Sequence, residues 1–185
     1  MDNNASVLQV QRGDSGFGGF HHLRRITSDT VTPQRLDWIW QRLQKCEYAF
    51  DDFTRGKVDF FLEQFTNEVV EFYEIGDQGL AILRNIIPAG GGEIHYVVWD
   101  TDTYPLNRQK ISAKELLDYL FFDRRIHHAY GIIPSFNQHA TRLALAIGMK
   151  YEGEIRENFL YKGKYFNHMI YGLLDSEWRV RRNRV

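Results

Sequence analysis

Glu93 and His95 stand two residues apart in the run Glu93-Ile-His95-Tyr96-Val97-Val98-Trp99, a stretch rich in strand-forming residues. Side chains alternate along a strand, so the carboxylate and the imidazole share one face. Such a pair can hold and move a proton, directly or through a water, as a general base does. The same residues also have a plain structural reading. Glu93 then merely opens the strand beside Gly92, and His95 is a satisfied core or edge residue. A second group of interest follows downstream. Arg108 and Lys110 can pair with a phosphate. Ser112-Ala-Lys-Glu115 has the spacing of a capping box, which sets a helix start at Ser112. Asp100 and Asp102, just before it, would repel any phosphate that they faced.

Other constellations fail on geometry. His21-His22 and His127-His128 are strand neighbours that point to opposite faces, and no carboxylate or cysteine cluster joins them, so no metal site is expected. Gly13-Asp-Ser-Gly16 has the letters of a trypsin-like nucleophile motif, but no room lies upstream for the His and Asp that come first there. Gly16-Phe-Gly18 lacks the strand before it and the helix after it that a dinucleotide loop needs. Cys46, which reads as part of the first helix, is the single cysteine, which allows neither a disulfide within the chain nor a Cys-rich zinc site.

The elements that must position these groups follow from hydrophobic period. Residues 21–26 read as a first strand. Thr32-Pro33 caps and starts a helix carrying Leu36, Ile39, Trp40 and Leu43 on one face. A second helix carries Val58, Phe61, Leu62 and Phe65, and Trp40, Phe61 and Phe65 are expected in the core. Strands follow at 69–75, 80–87 and 93–99. A helix runs on from Ser112 through Leu116, Leu117, Leu120 and Phe121. A strand covers 126–133, a helix 139–147 ends at Gly148, and a hairpin of 151–161 and 165–174 closes the chain. Helices between strands imply some parallel pairing and the hairpins imply antiparallel pairing, hence a mixed α/β sheet with helices on both faces.

With 185 residues, 43% hydrophobic and 25% charged, the chain fits one domain whose core holds without staples. A net charge of −1 argues against a general nucleic-acid coat. No apolar run approaches the ~20 residues of a membrane span, and residues 1–20 lack the apolar core of a secretory signal. The expected compartment is the cytoplasm or another reducing space. Residues 1–20 read as a flexible glycine-rich arm, 21–178 as the patterned domain and 179–185 as a basic tail. Arm and tail are candidate contacts for a protein partner; the tail reads first as a solvated, frayed terminus.

The segment Asn137-Gln-His-Ala140-Thr-Arg-Leu143-Ala-Leu-Ala-Ile-Gly148-Met149-Lys-Tyr-Glu152-Gly153 resembles the C-terminal half of the GNAT acyltransferases, especially the branch with the ribosomal-protein alanine acetyltransferases. The closing Gly163-Lys-Tyr165-Phe-Asn167 hairpin and the opening Leu23-Arg24-Arg-Ile-Thr27 resemble that branch too. The resemblance spans about residues 21–178. It implies a mostly antiparallel sheet of about seven strands, and an acetyl-CoA-dependent N-acetyltransferase acting on a primary amine, of a protein N-terminus or a small molecule, by direct attack on the thioester. Glu93 and His95 become the candidate base or water relay. Val97 and Val98 of the fourth strand and Asn137 become candidate cofactor contacts, although Asn137 reads equally as a helix N-cap. Arg108-Gln109-Lys110-Ile111-Ser112-Ala113 stands where the family has its pyrophosphate loop, with the β-branched Ile111 in place of the first glycine. The position of the family's acidic Tyr holds Ala144. Asp51 and Asp52, between the first two helices, would suit a cationic acceptor. Ile111 and the vacant Tyr position motivate an alternative: a GNAT-like domain without catalysis, serving as a structural or interaction subunit of a larger assembly such as a virion.

Overall fold

A computed structural model describes residues 21–182 apart from positions 47 and 68. The expected arm, 1–20, and the last three residues of the tail lie outside the described residues. Seven strands form one sheet in the order β1-β2-β3-β4-β5-β7-β6. The strands are β1 (Leu23–Ile26), β2 (Glu71–Ile75), β3 (Gly79–Arg84), β4 (Gly91–Val98), β5 (His128–Pro134), β6 (Lys150–Tyr161) and β7 (Lys164–Leu174). The helices are α1 (Pro33–Leu43), α2 (Val58–Thr66), α3 (Leu106–Asp118), α4 (Gln138–Ile147) and α5 (Asp175–Arg182). Only β4 and β5 pair in parallel; every other neighbouring pair is antiparallel. The expected mixed, mostly antiparallel sheet is therefore present.

Two cores flank the sheet. On one face α1 and α2 pack Ile39, Leu43, Phe61 and Phe65 against Phe72 and Leu80. On the other, α3, α4 and α5 pack Leu116, Leu117, Leu143, Ile147 and Trp178 against Tyr73, Ala81, Leu83 and Ala129. Local signals set several boundaries. Thr32 Oγ1 accepts from the Arg35 amide at the head of α1, and Pro33 takes the first helical position, where a missing N–H does no harm. Gly148 ends α4 with φ of 102°, a left-handed conformation that suits glycine. Gly79 is required by close approach, because a Cβ there would stand 2.3 Å from the Val97 carbonyl oxygen of the neighbouring strand.

Three expectations need correction. First, α3 begins at Leu106, after Pro105, and not at Ser112. The capping box is broken by tertiary contacts: the Ser112 hydroxyl bonds Tyr96 and Tyr104, and Glu115 accepts from His22. Second, residues 179–182 continue α5 rather than fray. Trp178 anchors that helix, 3% exposed, with Nε1 donating to Asp118 Oδ1 at 2.9 Å. Third, Cys46 follows α1 rather than lying in it, and its Sγ rests 4.0 Å from the Val98 carbonyl. A π-helical turn at Tyr119–Asp123, which no sequence signal announced, extends α3 before β5.

Candidate active site

The parallel ladder between β4 and β5 runs only through Gly91↔His128, Gly92↔Ala129 and Glu93↔Tyr130. Beyond it β4 stays on β3 as far as Val98 and β5 stays on β7 as far as Pro134. The two strands therefore part, and the edge of β4 that turns away from β5 keeps backbone N–H groups without a strand partner. A slot of about 130 Å³ opens at the parting, lined by Ile94–Val97 of β4, Gly131–Pro134 of β5 and apolar side chains of α3 and α4. A second, larger cavity of about 320 Å³ lies on the α1–α2 face. Tyr48, Ala49, His95, Val97, Ile132 and Pro134 line both, so slot and cavity meet at the parting.

Period two on β4 aims Glu93, His95 and Val97 into the α1–α2 cavity. His95 Nε2 lies 2.6 Å from Glu93 Oε1. A carboxylate can only accept, so in the neutral ring Nε2 carries the proton and Nδ1 keeps its lone pair. Asn85 Nδ2 donates to the other Glu93 oxygen at 3.1 Å. The His95 hydrogen bond is the main reason that the Glu93 carboxyl is held below its ordinary range, against the opposing effect of burial. His168 enters from β7 and faces the same pair. Burial first, then the neighbouring His95, holds its imidazole below the usual value. Asn158 Nδ2 donates to His168 Nδ1 at 2.9 Å, which places the proton of its neutral ring on Nε2. No sequence signal singled out His168, because β7 reaches the site only through its pairing with β5.

The other candidate residues divide. Val97 lines both cavities, whereas Val98 is buried towards the α3 face. Asn137 caps α4, its Oδ1 accepting from the Ala140 amide at 3.1 Å, and also lines the slot. Gln109 and Ser112 are buried in a structural network. Gln109 Nε2 donates to the Tyr104 carbonyl at 2.7 Å, its Oε1 meets His139 Nε2 at 2.9 Å, and the Ser112 hydroxyl lies 2.6 Å from the Tyr96 hydroxyl. Ala113 lines the slot from mid-helix. Ile111 projects from the middle of α3, 51% exposed. Residues 108–113 thus form helix rather than loop, and the loop that precedes α3 is 99–105. Asp51 lines the larger cavity, and both Asp51 and Asp52 also hold local structure. Asp51 Oδ1 accepts from the Phe53 and Thr54 amides and the Thr54 hydroxyl, closing its own turn. Asp52 clasps the β6–β7 turn by accepting from the Lys162 and Gly163 amides.

Whether a CoA-type donor fits can be tested on the slot and on the 99–105 loop. The slot fits an extended arm: it is apolar, holds on the order of ten waters by volume, and borders the unpaired β4 edge. The loop is unlike a phosphate cradle. The Asp100 carboxylate accepts from the Asp102 and Thr103 amides at 3.0 and 3.2 Å, the Tyr104 amide bonds the Asp100 carbonyl, and the Arg108 and Gln109 amides bond the Pro105 carbonyl. Hydrogen bonds from Thr103 hold the Asp100 carboxyl below its usual range, so it stays an anion. Of the residues expected to meet a phosphate, Arg108 and Lys110 stand in the first turns of α3 and could pair with the anionic end of a donor. Among the described residues no group of His, Cys, Asp and Glu could hold a metal ion, and no helix is long and apolar enough to cross a membrane.

No protein-family model and no curated protein matches the sequence. Solved structures do match the fold. One is the spermidine N-acetyltransferase of Vibrio cholerae in complex with CoA and spermine, at 17% identity and a TM-score of 0.66, covering 85% of this chain and 98% of that one. Another is a probable acetyltransferase, at 15% identity and a TM-score of 0.67, covering 86% of this chain and 96% of that one. A mutant of the Vibrio cholerae enzyme gives 16% identity and a TM-score of 0.68. The fold is thus that of the GNAT acetyltransferases.

Proposed function

We propose that the chain is an N-acyltransferase that moves the acetyl group of acetyl-CoA to a primary amine, on a protein N-terminus or a small molecule. The observation that carries this reading is the His95–Glu93 pair at the parting of β4 and β5, where a slot that fits an extended arm meets a second cavity. When bound, acetyl-CoA supplies an acyl group activated as a thioester. The residues of the chain then act as follows. The amine enters from the α1–α2 side, and His95 Nδ1 takes its proton directly or through a water. Glu93 holds the imidazole in the required tautomer and stabilises its charged form. N–H groups on the unpaired β4 edge face the developing oxyanion. As the new C–N bond forms and the C–S bond breaks, the proton held by His95 is available to the departing sulfur. Burial pushes the Cys46 thiol up to about 11 and neither the slot nor the larger cavity includes it, which supports transfer without an acyl-enzyme.

The test is thiol release from acetyl-CoA by the full chain with a panel of primary amines, with the acetylated product identified by mass. Glu93→Gln and His95→Gln should each lower kcat by about 10²–10⁴-fold. Unchanged kcat in both variants would dismiss the pair, and ping-pong kinetics would dismiss direct attack. One observation favours a second reading, a binding domain of this fold without catalysis: the amides of the 99–105 loop are already occupied by Asp100. Absence of thiol release with every amine, together with absence of CoA binding, would select it.

A further inference from the structure

Among the described residues, Arg84 is the charged residue of the larger cavity with a buried side-chain nitrogen that lacks a hydrogen-bonding partner. It closes β3 as the register partner of Glu93, and its side chain lines the cavity. Its Nε is buried, and among the described residues nothing accepts from it. Burial works against the guanidinium charge, and Glu93 alone favours it. Glu93 does not satisfy it by hydrogen bonding, since its two oxygens serve His95 and Asn85. Nor does Asp51, the other described carboxylate on the wall, whose Oδ1 closes its own turn with three donors. A guanidinium does not deprotonate in a protein and a buried donor without an acceptor is destabilising, so a guanidinium on this wall favours an anion that enters the cavity. Much of the remaining wall is aromatic, with Phe50, Phe60, Phe61, Phe72 and Phe159.

We infer that the acceptor is a free α-amino acid with an apolar or aromatic side chain, its carboxylate taken by Arg84 and its amine presented to His95. This rests on the acyl-transfer reading. The placement suits such a molecule. Arg84 lies opposite Glu93 and Ile82 lies opposite His95 on the same face, and cross-strand Cβ atoms are about 4.5–5.5 Å apart. Arg84 and His95 are thus diagonal neighbours on one face, about 7–8 Å apart at the backbone, a span that the long arginine side chain can cross. Guanidinium and carboxylate also match as a two-pronged pair. A protein N-terminus has an amide in place of that carboxylate, and a polyamine would set a like charge against Arg84.

The experiment compares L-phenylalanine, L-phenylalaninamide, phenethylamine and spermidine as acceptors at fixed acetyl-CoA, on the full chain. L-Phenylalanine should exceed its amide in kcat/KM by about 10–150-fold, the range of a hydrogen bond to a charged group. Arg84→Met should collapse that ratio, and Arg84→Lys should keep part of it. A preference for the amide, phenethylamine or spermidine overturns the inference, as does an Arg84→Met protein that retains the ratio. Far-ultraviolet dichroism of both variants verifies that they fold. Calorimetry of L-phenylalanine without donor separates this inference from its parent. Binding that Arg84→Met abolishes, with no amine acetylated, keeps the amino-acid site and sinks acyl transfer. Acetylation of other amines with no L-phenylalanine binding does the reverse.

Discussion

Truncating Trp178 tests whether the C-terminal segment is structure or solvated tail. The indole is 3% exposed, packs with its ring centroid 6.4 Å from that of Phe121, and donates to Asp118 at 2.9 Å. Removing a buried Trp side chain destabilises by about 3–5 kcal/mol when the site cannot collapse. At about 2–4 °C per kcal/mol for a chain of this size, Trp178→Ala should lower Tm by about 6–20 °C. A residue in a solvated tail would change stability by no more than about 0.5 kcal/mol, within about 2 °C. The measurement is thermal and urea unfolding followed by circular dichroism. Arg179→Ala is the control. Arg179 is itself half-exposed, while its partners Asp175 and the face of Phe122 are partly buried, and such surface pairs contribute up to about 1 kcal/mol. Trp178 belongs to the same core as Leu116, Leu117, Leu143 and Ile147, which line the slot. Trp178→Ala should therefore weaken donor binding as well. A Tm shift for Trp178→Ala no larger than that of the control would refute the packing argument.

Two other outcomes follow from the charges at the site. Asp100→Gly frees the Asp102 and Thr103 amides and removes a negative charge, so calorimetry should show CoA bound several-fold more tightly; unchanged or weaker binding would mean that the loop does not face the donor. His168 is held below the ordinary imidazole value, so the folded chain takes up that proton at lower pH than the unfolded chain does. Stability is then full above the unfolded value of about 6.5 and is lost as pH falls through it towards the folded value. Tm should drop between about pH 7.5 and about pH 5.5, and His168→Asn should flatten part of that drop; identical slopes would remove His168 as a cause.

Much of the fold is legible in the sequence because its signals are local. Thr32-Pro33 and Gly148 mark helix ends through their own backbones, and the period of Leu36, Ile39, Trp40 and Leu43 is that of one helix face. The shared face of Glu93 and His95 follows from strand alternation alone, before any partner is known. The helix start at Ser112 misleads for an instructive reason. Ser and Glu three residues apart cap a helix only when their side chains are free to turn back on it, and here Tyr96, Tyr104 and His22 take them. Pro105, a legitimate helix-entry residue, was the better signal.

What only tertiary structure decides are the contacts between residues far apart in the chain. Trp178 becomes a core residue through Asp118 and Phe121, partners that no helical or strand period links to it. His168 reaches the His95–Glu93 pair because β7 pairs with β5 and β5 parts from β4. Arg84 comes to line the cavity with its Nε buried because the β3–β4 ladder sets it opposite Glu93 while α2 and β6 cover the cavity. Residue types and spacing place side chains on faces. Which faces enclose a cavity, and which charges stay without a partner inside it, depends on long-range packing that burial and strand register determine together.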